Sequence, residues 1–319
     1  MTLDLEPGVH RIDEADYHAD PCKTPSASSS LLKIISSQSP QHAWMAHPRL
    51  NPDYEEQREG KFDVGSAAHA LILGDVARIE VVNEDSWRKA VAKDAKERIY
   101  ASGGIPLLTK QFDEASEMAE AVPAQLLQHE LGNFLAGTEP QVSIIWEEGP
   151  GLLCRCLLDW HHQSPETALI WGDLKTTTDT ANPAGVYRRL AGTGADMQVA
   201  LYQRGLNAAY GENPDRRFVF LMVETAPPYA LSVVEFSSTA MHIANRKLDL
   251  ALRLWQKCLK ADQWPGYTRR VVELEPPPWE ISAMEEREEQ RNADRKDGID
   301  EMRDRMLAWQ APQDLSGAV

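Results

Sequence analysis

Asp173 and Lys175 stand two residues apart in the stretch WGDLKTTTD, residues 171–179, which begins at the end of an apolar run. In an extended strand the side chains of residues i and i+2 point to the same face, so these two lie side by side while Leu174 points away. An exposed ion pair of this kind contributes only about 0–1 kcal/mol. The triplet Asp-x-Lys alone leaves two interpretations open, a surface ion pair and part of a reaction centre.

A second acid, Asp159, lies near the end of the preceding apolar run GLLCRCLLDW, residues 151–160. Two neighbouring carboxylates raise one another's pKa unless a cation lies between them. Carboxylate oxygens together with water are ligands that suit Mg²⁺ or Mn²⁺. Such an ion binds a phosphate oxygen and lowers the pKa of an attacking water, while Lys175 would orient that water or stabilise the charge that develops on phosphorus. If Asp159 and Asp173 meet, the chemistry is metal-assisted hydrolysis of a phosphodiester.

The elements that must position these residues are three runs rich in apolar and β-branched residues: QVSIIWEE, GLLCRCLLDWHH and TALIWGDLKTT. The runs are separated by GP and QSPE, which are turn signals, so we predict three successive strands in an antiparallel meander. Asp159 lies at the end of the second predicted strand, and in an antiparallel pair the end of one strand faces the start of the next. The two acids therefore meet only if the sheet bends or the third strand crosses the middle of the second.

The remaining segments predict helices before these strands and a mixture of helices and strands after them. Before the strands we predict helices at SSSLLKIISS, which Pro40 interrupts or ends, at KFDVGSAAHALILG with Gly74 as its C-cap, and in two or three pieces across residues 85–135. After the strands we predict helical segments within 183–210, a hairpin of RFVFLMVET and YALSVVEFS, and a long helix over about 238–260.

The composition of the 319 residues fits one large domain or two ordinary ones, with 42% hydrophobic residues available for a core. The net charge of −16 argues against a protein that coats nucleic acid non-specifically, but it does not exclude a local basic groove. No apolar run approaches the roughly 18 residues that cross a bilayer, and the acidic N-terminus lacks the features of a signal peptide. We expect a soluble, cytoplasmic protein with no membrane contact.

The four cysteines, Cys22, Cys154, Cys156 and Cys258, are few and irregularly spaced. They fit neither a disulfide scaffold nor the CxxC pairs of a zinc ribbon. Metal ligation by Cys154 and Cys156 remains an alternative, but they share one strand face with Leu152 and Leu158. We therefore predict that both are buried, reduced thiols.

The composition shifts at Pro276, where a highly charged segment with few apolar residues before Met306 begins. One interpretation is a solvated or partly disordered tail, and the other is a segment that contacts another subunit or a partner through Met302, Met306, Leu307 and Trp309. We accordingly divide the chain into residues 1–275, a catalytic domain, and residues 276–319, a charged tail.

The string from Ser143 to Thr177, SIIWEEGPGLLCRCLLDWHHQSPETALIWGDLKTT, resembles the nuclease core of RecE-type exonucleases (exonuclease VIII), members of the PD-(D/E)xK nuclease superfamily. The likeness extends, in the same order along the chain, to GVHRIDEADYHAD, SSSLLKIISSQSPQHAWMAH, GSAAHALILG, MQVALYQRGL and RFVFLMVET. It therefore covers roughly residues 8–265. One Asp-x-Lys is weak evidence, whereas several matching segments in order are strong evidence.

The resemblance implies an α/β fold with a central mixed β-sheet flanked by helices, the PD-(D/E)xK nuclease core, with a helical N-terminal elaboration. It implies a Mg²⁺- or Mn²⁺-dependent exodeoxyribonuclease that hydrolyses phosphodiester bonds from double-stranded DNA ends. Digestion from 5′ to 3′ would leave 3′ single strands for a phage-type single-strand annealing protein in recombination. The resemblance also implies a homo-oligomeric ring.

The resemblance assigns the metal ligands residue by residue. Asp159 matches the first metal-binding Asp of the family, and Asp173 and Lys175 match its Asp-x-Lys. The carbonyl of Leu174 is a further expected metal ligand.

Three helical residues also match the family. His69, in GSAAHALIL, matches a His that approaches the metal; the alternative is a core histidine on a helix of small residues. Gln198 and Tyr202 match a Gln-xxx-Tyr pair and, four residues apart, share one helix face. They would hold the Lys or a DNA phosphate, with ordinary packing as the alternative.

The sequence departs from the family at one position. An acidic residue often precedes the strand equivalent to SIIW, where this chain has Gln141, with Glu139 two residues earlier. Either Glu139 takes the role through a shift in register, or the site binds metal with fewer acids, which leaves one or two metal ions open.

Two alternative functions remain beside that of an exonuclease. One is a different PD-(D/E)xK DNA nuclease, RecB-like or Cas4-like, in a form without an iron–sulfur cluster because the cysteine pattern does not supply one. The other is a non-catalytic DNA-binding or scaffold protein whose site has decayed, against which the presence of Asp159, Asp173 and Lys175 argues.

Overall fold

The computed structural model describes residues 3–55 and 63–308 of the chain. They fall into two units, Met1–Tyr267 and Thr268–Val319. The helices of the first unit are α1 Glu14–His18, α2 Ser29–Ser37, α3 Pro40–Met45, α4 Asp63–Leu73, α5 Ala90–Ala101, α6 Thr109–Leu126, α7 Pro183–Gly192, α8 Ala195–Tyr210 and α9 Ser238–Ala261. Its strands are β1 Gly8–His10, β2 Ile79–Val82, β3 Ile105–Leu108, β4 Thr138–Gly149, β5 Leu152–His162, β6 Ile170–Thr177, β7 Arg217–Glu224 and β8 Leu231–Val234.

The first two predicted strands form the expected antiparallel hairpin, β4 with β5, in which Val142 lies opposite Leu158 and Trp146 opposite Cys154. Strand β1 pairs antiparallel with the other edge of β4. In this hairpin Cys154 and Cys156 are both fully buried. This confirms the prediction for these two thiols, and Cys22 and Cys258 are free and buried as well.

The third predicted strand, β6, departs from the meander. It pairs with β7, which runs parallel to it with Asp173 opposite Phe220, and β8 extends this ladder antiparallel to β7. A parallel pair needs a long crossover between its strands, and helices α7 and α8 supply it. The prediction of a three-stranded meander was therefore wrong for β6, whose hydrogen-bonded partner is 40 residues away along the chain.

Strand β7 lies between two layers of helices. Its side chains Phe218, Phe220 and Met222 belong to one core cluster, with residues of α2, α8 and α9. The alternate side chains Val219, Leu221 and Val223 belong to a second cluster, with residues of α4 and α6. A strand buried on both faces reads as a continuous apolar run, which explains the composition of RFVFLMVE. The result is the predicted α/β architecture of mixed strands flanked by helices.

The local predictions have mixed outcomes at the residue level. Of the two alternatives for Pro40, the structure shows the interruption: α2 ends at Ser37, and Pro40 begins α3 after the N-cap Ser39, where a proline loses no hydrogen bond. Gly74 follows α4 with φ of +85°, the left-handed conformation expected of a glycine after a helix. Within 85–135 the pattern predicted helices alone, but the structure also has β3, which pairs parallel with β2.

The second unit contains α10, Pro278–Ala308, a helix of 31 residues in which none of the described side chains is buried. Its composition was predicted to give a solvated or partly disordered segment, and through Ala308 it is a solvated helix. Of the residues proposed for docking, Met302, Met306 and Leu307 are exposed, and Trp309 lies outside the described residues. No helix in the described ranges is both long and apolar enough to span a membrane.

Candidate active site

The structure brings Asp159 next to the strand that carries Asp173. Strand β5 does not end at Asp159 but continues to His162, and the following seven residues turn back into β6. Asp159 therefore lies inside its strand, where its Oδ2 accepts the backbone N–H of Leu174 at 2.7 Å. Sequence alone left open whether the third strand passes the second near Asp159. This hydrogen bond shows that it does.

Asp173 is buried, with 3% of its surface exposed. Its Oδ2 lies 2.5 Å from Nζ of Lys175, and its Oδ1 accepts a hydrogen bond from Nε2 of Gln198 at 2.5 Å. The side chain of Lys175 is 36% exposed, whereas that of Asp173 is 5% exposed. This arrangement rules out the interpretation of the Asp-x-Lys triplet as an exposed surface ion pair.

Helix α4 brings His69 to the same place, where its Nε2 lies 3.0 Å from Oδ2 of Asp159. One turn earlier, a Cβ on Gly65 would lie 2.9 Å from Oγ1 of Thr176 in β6, so the glycine allows the helix to approach the strand closely. Sequence reasoning picked out His69 but missed Gly65 and Thr176. The run of small residues in GSAAH was the feature of the sequence that could have indicated this close approach.

A second glycine allows the strands to pack closely. A Cβ on Gly172 would lie 1.9 Å from the carbonyl oxygen of Val219 in β7 and 2.8 Å from the indole of Trp160 in β5. Because Gly172 immediately precedes Asp173, this contact fixes the position of β6 between its neighbours. Sequence reasoning treated this glycine only as part of the motif string.

Asp159 and His69 stabilise one another's charged forms. Burial raises the pKa of Asp159, but the His69 imidazole, the Lys175 ammonium and the Leu174 N–H outweigh that effect and hold it below its ordinary value. Burial lowers the pKa of His69, and the Asp159 carboxylate outweighs it and raises the pKa. In this arrangement His69 orients an ionised carboxylate.

At Asp173 the effects that raise the pKa outweigh those that lower it. Burial raises its pKa and the neighbouring Asp159 carboxylate raises it further, against the opposing effect of Lys175. Burial lowers the pKa of Lys175, but the two carboxylates outweigh it, so the ammonium stays charged. The negative charge of Asp173 is thus incompletely compensated by its neighbours, as expected at a site that receives a further cation.

Gln198 and Tyr202 share one face of α8 but contribute differently. Gln198 holds Asp173 rather than Lys175. The ring of Tyr202 is 5% exposed and packs against Phe218 with ring centroids 5.8 Å apart. Burial, more than any neighbouring charge, raises the pKa of Tyr202 well above its ordinary value. Among the described contacts none joins its hydroxyl to the carboxylates, so its observed role is packing.

The two candidates for an additional acid are separated by the structure. Glu139 forms an ion pair with Arg11 and does not line the cavity at the carboxylates. Gln141 lines that cavity together with Asp159, and its φ of +34° is unusual for a residue other than glycine. A neutral amide therefore stands where an acidic side chain was sought.

Asp159, His69 and Lys175 line a cavity of about 1130 Å³, and the buried Asp173 lies directly behind this lining, in contact with Lys175. Its other wall carries Glu14 of α1 and Arg78, which form an ion pair with one another. This volume lies just above the roughly 300–1,000 Å³ of typical small-molecule pockets, so the cavity has room for part of a polymer strand.

The donors present fit a divalent cation. Within the described ranges no three His, Cys, Asp or Glu side chains are grouped as a complete metal cage, but Mg²⁺ keeps several waters and binds through one or two carboxylates. Oδ2 of Asp173 is buried and accepts no hydrogen bond from the described residues; its close partner is the Lys175 ammonium. The carbonyl of Leu174 lies on the same side of β6 as the N–H that faces Asp159. Asp159, Asp173 and this carbonyl would supply hard oxygen ligands.

Comparison with known proteins adds two findings. A family model described as "PDDEXK-like domain of unknown function (DUF3799)" matches residues 28–272, more than half of the chain. Among solved structures, the chain is similar to a protein from Eubacterium rectale described as "Putative exonuclease", with a TM-score of 0.52 and 15% sequence identity. That similarity covers 86% of this chain and 99% of the other. A search of curated protein sequences found no match. At such low identity the structural similarity shows a shared fold.

Proposed function

The chain belongs to the DUF3799 family of PDDEXK-like domains, and we propose that it is a metal-dependent nuclease acting on DNA. The observation that carries this proposal is the environment of Asp173. A buried carboxylate contacts Lys175 through one oxygen and Gln198 through the other, and Asp159 lies on the adjacent strand. An arrangement that serves stability alone has no need to bury Asp173 beside the partly buried Asp159, because the second carboxylate raises the cost of ionising the first.

Asp159, Asp173 and the carbonyl of Leu174 would hold the metal, Mg²⁺ or Mn²⁺. When bound, such an ion polarises a phosphate oxygen and lowers the pKa of a water. His69 keeps Asp159 ionised and fixes its orientation through the 3.0 Å contact. Gln198 fixes the orientation of Asp173 by donating to Oδ1, which leaves Oδ2 directed toward Lys175.

Lys175 is the residue placed to act on the substrate. Its ammonium contacts Asp173, and its side chain, about one-third exposed, lines the cavity. From there it donates to a water or to a phosphate oxygen as negative charge develops on the phosphorus substituents. It contributes no metal ligand, because a protonated amine has no lone pair to donate.

We further propose an exonuclease that works from double-stranded DNA ends in the 5′ to 3′ direction and leaves 3′ single strands. The support is the sequence resemblance to RecE-type exonucleases across roughly residues 8–265. The same resemblance supports a homo-oligomeric ring and a single-strand annealing protein as partner. A ring would let a subunit of net charge −16 surround DNA with its few basic surfaces facing a central channel.

The test is digestion of one plasmid in two forms, linear duplex and covalently closed circle, with the full chain and Mg²⁺ or Mn²⁺. We expect nucleotide release from the linear form only, and none from either form when the metal is chelated. Equal digestion of both forms would indicate an endonuclease of the same superfamily. Binding to DNA with no hydrolysis of either form in Mg²⁺ or Mn²⁺ would favour the non-catalytic alternative.

A further inference from the structure

Helix α10, Pro278–Ala308, has 31 residues, and none of its described side chains is buried. The mean helix of a globular protein has about 11–12 residues, and most helices are stabilised by packing one face against another element. Gly298 lies in the interior of α10 and weakens it further. We therefore asked which face of α10 is suited to packing, and against what.

One side of α10 carries an apolar stripe. Its apolar members are 46–74% exposed: Ile281, Met284, Ile299, Met302 and Met306. Glu288, Asn292 and Arg295 continue the same spacing of three and four residues between them, so all eight lie on one side of the helix. This is the spacing of the a and d positions of a coiled coil, with one additional four-residue step between Glu288 and Asn292. We call these eight residues the seam.

The charges along one edge of the seam change sign from the first half of α10 to the second. The e positions of a coiled coil directly follow its d positions and face the other helix. In α10 they are Glu285, Glu289, Lys296 and Arg303, and all four are exposed. This edge is therefore negative in the N-terminal half of the helix and positive in the C-terminal half.

A second copy of α10 that runs antiparallel matches these charges. With Ile281 of one copy opposite Met306 of the other, Glu285 lies within one helical turn of Arg303, and Glu289 lies within one turn of Lys296. A two-fold pair repeats every contact, so each of these ion pairs occurs twice. One arrangement thus covers the apolar ends of the seam and pairs the charges along its edge.

The same charges disfavour other occupants of the seam. In a parallel pair in register, Glu285 would face Glu285 and Arg303 would face Arg303, like charge against like. Helix α10 contains ten acidic and six basic residues, so the phosphate backbone of a nucleic acid would be repelled. Arg303 also pairs with Asp300 and Asp304 of its own helix at 3.3 and 3.7 Å. Such exposed pairs are weak and do not prevent Arg303 from reaching a second copy.

We propose that α10 pairs with α10 of a second copy of this chain in an antiparallel coiled coil, with Ile281 of each copy opposite Met306 of the other. A two-fold pair closes after two copies, so this contact joins chains two by two. The inference does not rest on the proposed nuclease function. Its residues all belong to the second unit, whereas the candidate active site belongs to the first.

Disulfide trapping between full-length chains tests the direction and register of the pair. One chain carries Ile281→Cys and the other carries Met306→Cys; the four native thiols are buried and therefore protected. After oxidation with copper phenanthroline, we expect a cross-linked dimer in the equimolar mixture. Either chain alone should give at least tenfold less, because the two copies of residue 281 lie about 38 Å apart in this pair, at 1.5 Å per residue.

Two results of this experiment would overturn the proposal. If each chain cross-linked on its own as well as in the mixture, the helices would be parallel. If no sample cross-linked, a second copy of α10 would not cover the seam.

Charge reversal in the same cysteine chains tests the edge of the seam. Glu285→Lys with Glu289→Lys in both chains places like charges together at both ends of the pair, so the cross-linked fraction should fall at least tenfold. The matched control is Glu286→Lys with Glu301→Lys, the same change of charge at exposed positions away from the seam. This control should cross-link as the unreversed chains do. Lysine and glutamate have similar helix propensities, so α10 should be retained, as far-UV circular dichroism verifies.

A complementary mixture should rescue the pair. The chain with Ile281→Cys keeps its two new lysines, and the chain with Met306→Cys instead carries Lys296→Glu and Arg303→Glu. In an antiparallel pair of these two chains, the acidic edge of each half again meets a basic edge of the other copy. Most of the cross-linking should return. No rescue in this mixture, or an equal loss in the matched control, would overturn the proposal.

Discussion

Two buried aspartates, Asp20 and Asp173, differ in how completely the protein satisfies them. Asp20 is fully buried, and it accepts hydrogen bonds from the N–H of Ser26 at 3.0 Å and from its hydroxyl at 2.7 Å. It also lies 3.1 Å from Arg155 and 3.2 Å from His47. Burial raises the pKa of Asp20, but His47, Arg155 and Ser26 outweigh it and hold the pKa below its ordinary value.

Asp173 is almost as deeply buried but has fewer partners. It contacts only Lys175 and Gln198 among the described polar side chains, and burial together with Asp159 holds its pKa above the ordinary value. A buried carboxylate with a full set of hydrogen-bond and ion-pair partners joins segments of the chain. A buried carboxylate with few partners, beside a second carboxylate, is a site for a further cation. The same residue type, at similar burial, thus indicates structure in one region and function in the other.

The largest expected effect separates activity from stability at Asp173. Asp173→Asn should lower DNA hydrolysis at least about 10³-fold, because a lost metal ligand forfeits several kcal/mol of transition-state stabilisation. The free energy of unfolding should stay the same or rise, since the substitution removes an incompletely compensated buried charge. Single-turnover digestion of linear duplex and chemical denaturation measure the two quantities. Activity within a few-fold of wild type would remove Asp173 from the site.

The same substitution at Asp20 should have the reverse outcome. Asp20→Asn leaves Arg155 and its neighbours without their carboxylate, and breaking a buried ion pair costs about 3–5 kcal/mol. Asn tolerates the left-handed φ of +60° that Asp20 adopts, so the loss reports charge rather than backbone strain. Urea denaturation measures it. If the free energy of unfolding fell by less than about 1 kcal/mol, the partners of Asp20 would have little effect on stability. The contrast with Asp173 would then fail.

Lys175 tests whether the ion pair at Asp173 serves catalysis. Lys175→Met should lower turnover by about 10²–10³-fold, the usual loss when one charge-stabilising donor is removed. Binding of Ca²⁺, followed by calorimetry, should persist, because Lys175 supplies no ligand and its removal leaves the carboxylates more negative. Metal binding lost with turnover preserved would reverse the assigned roles.

The control for Lys175 is Lys247→Met. Lys247 also pairs with a buried carboxylate, Asp196, at 2.7 Å, with the lysine 45% and the acid 8% exposed. Neither residue lines the cavity at the carboxylates. This variant should leave turnover and Ca²⁺ binding unchanged. It thereby measures the general effect of removing a lysine that pairs with a buried aspartate.

The sequence predicted most of what depends on local pattern. Apolar and β-branched runs separated by turn signals predicted the hairpin of β4 and β5, alternation along β5 predicted the buried thiols of Cys154 and Cys156, and the run of small residues with Gly74 predicted α4. The resemblance to a known family named Asp159, Asp173, Lys175 and the rest of the candidate site. Local pattern therefore identified the elements, and the resemblance identified the residues.

The features that escaped prediction depend on contacts between distant segments. The parallel pairing of β6 with β7 could not be read from β6, because an apolar run fits either direction of pairing. Strands β2 and β3 have four residues each, too few to show a period. The partners of Arg155 are Asp20 and Ser26, more than a hundred residues away. Alternation along β5 predicts which face Arg155 occupies but not its partners.

The smallest expected effect concerns how the site's neighbours are positioned. Asp20 is held by its own partners, whereas Asp159 depends on His69, which α4 brings close only because residue 65 is glycine. Gly65→Ala puts a Cβ within 2.9 Å of Thr176 Oγ1, so either the helix or the Thr176 side chain must shift. We expect hydrolysis to fall about tenfold, because small displacements at a reacting centre lower its rate. Stability should change by no more than about 1 kcal/mol, since alanine favours the helix by a similar amount.

Two further variants make the Gly65 prediction specific. Gly185 is also the third residue of its helix, α7, but a Cβ there meets nothing within 4 Å, so Gly185→Ala should keep full activity. Thr176→Ser, combined with Gly65→Ala, should restore most of the lost activity, because a serine hydroxyl rotates away more freely than that of β-branched threonine. If Gly65→Ala alone were fully active, close approach of α4 to β6 would not be what positions His69. If the double variant were no better than the single one, the hydroxyl of Thr176 would not be the obstacle.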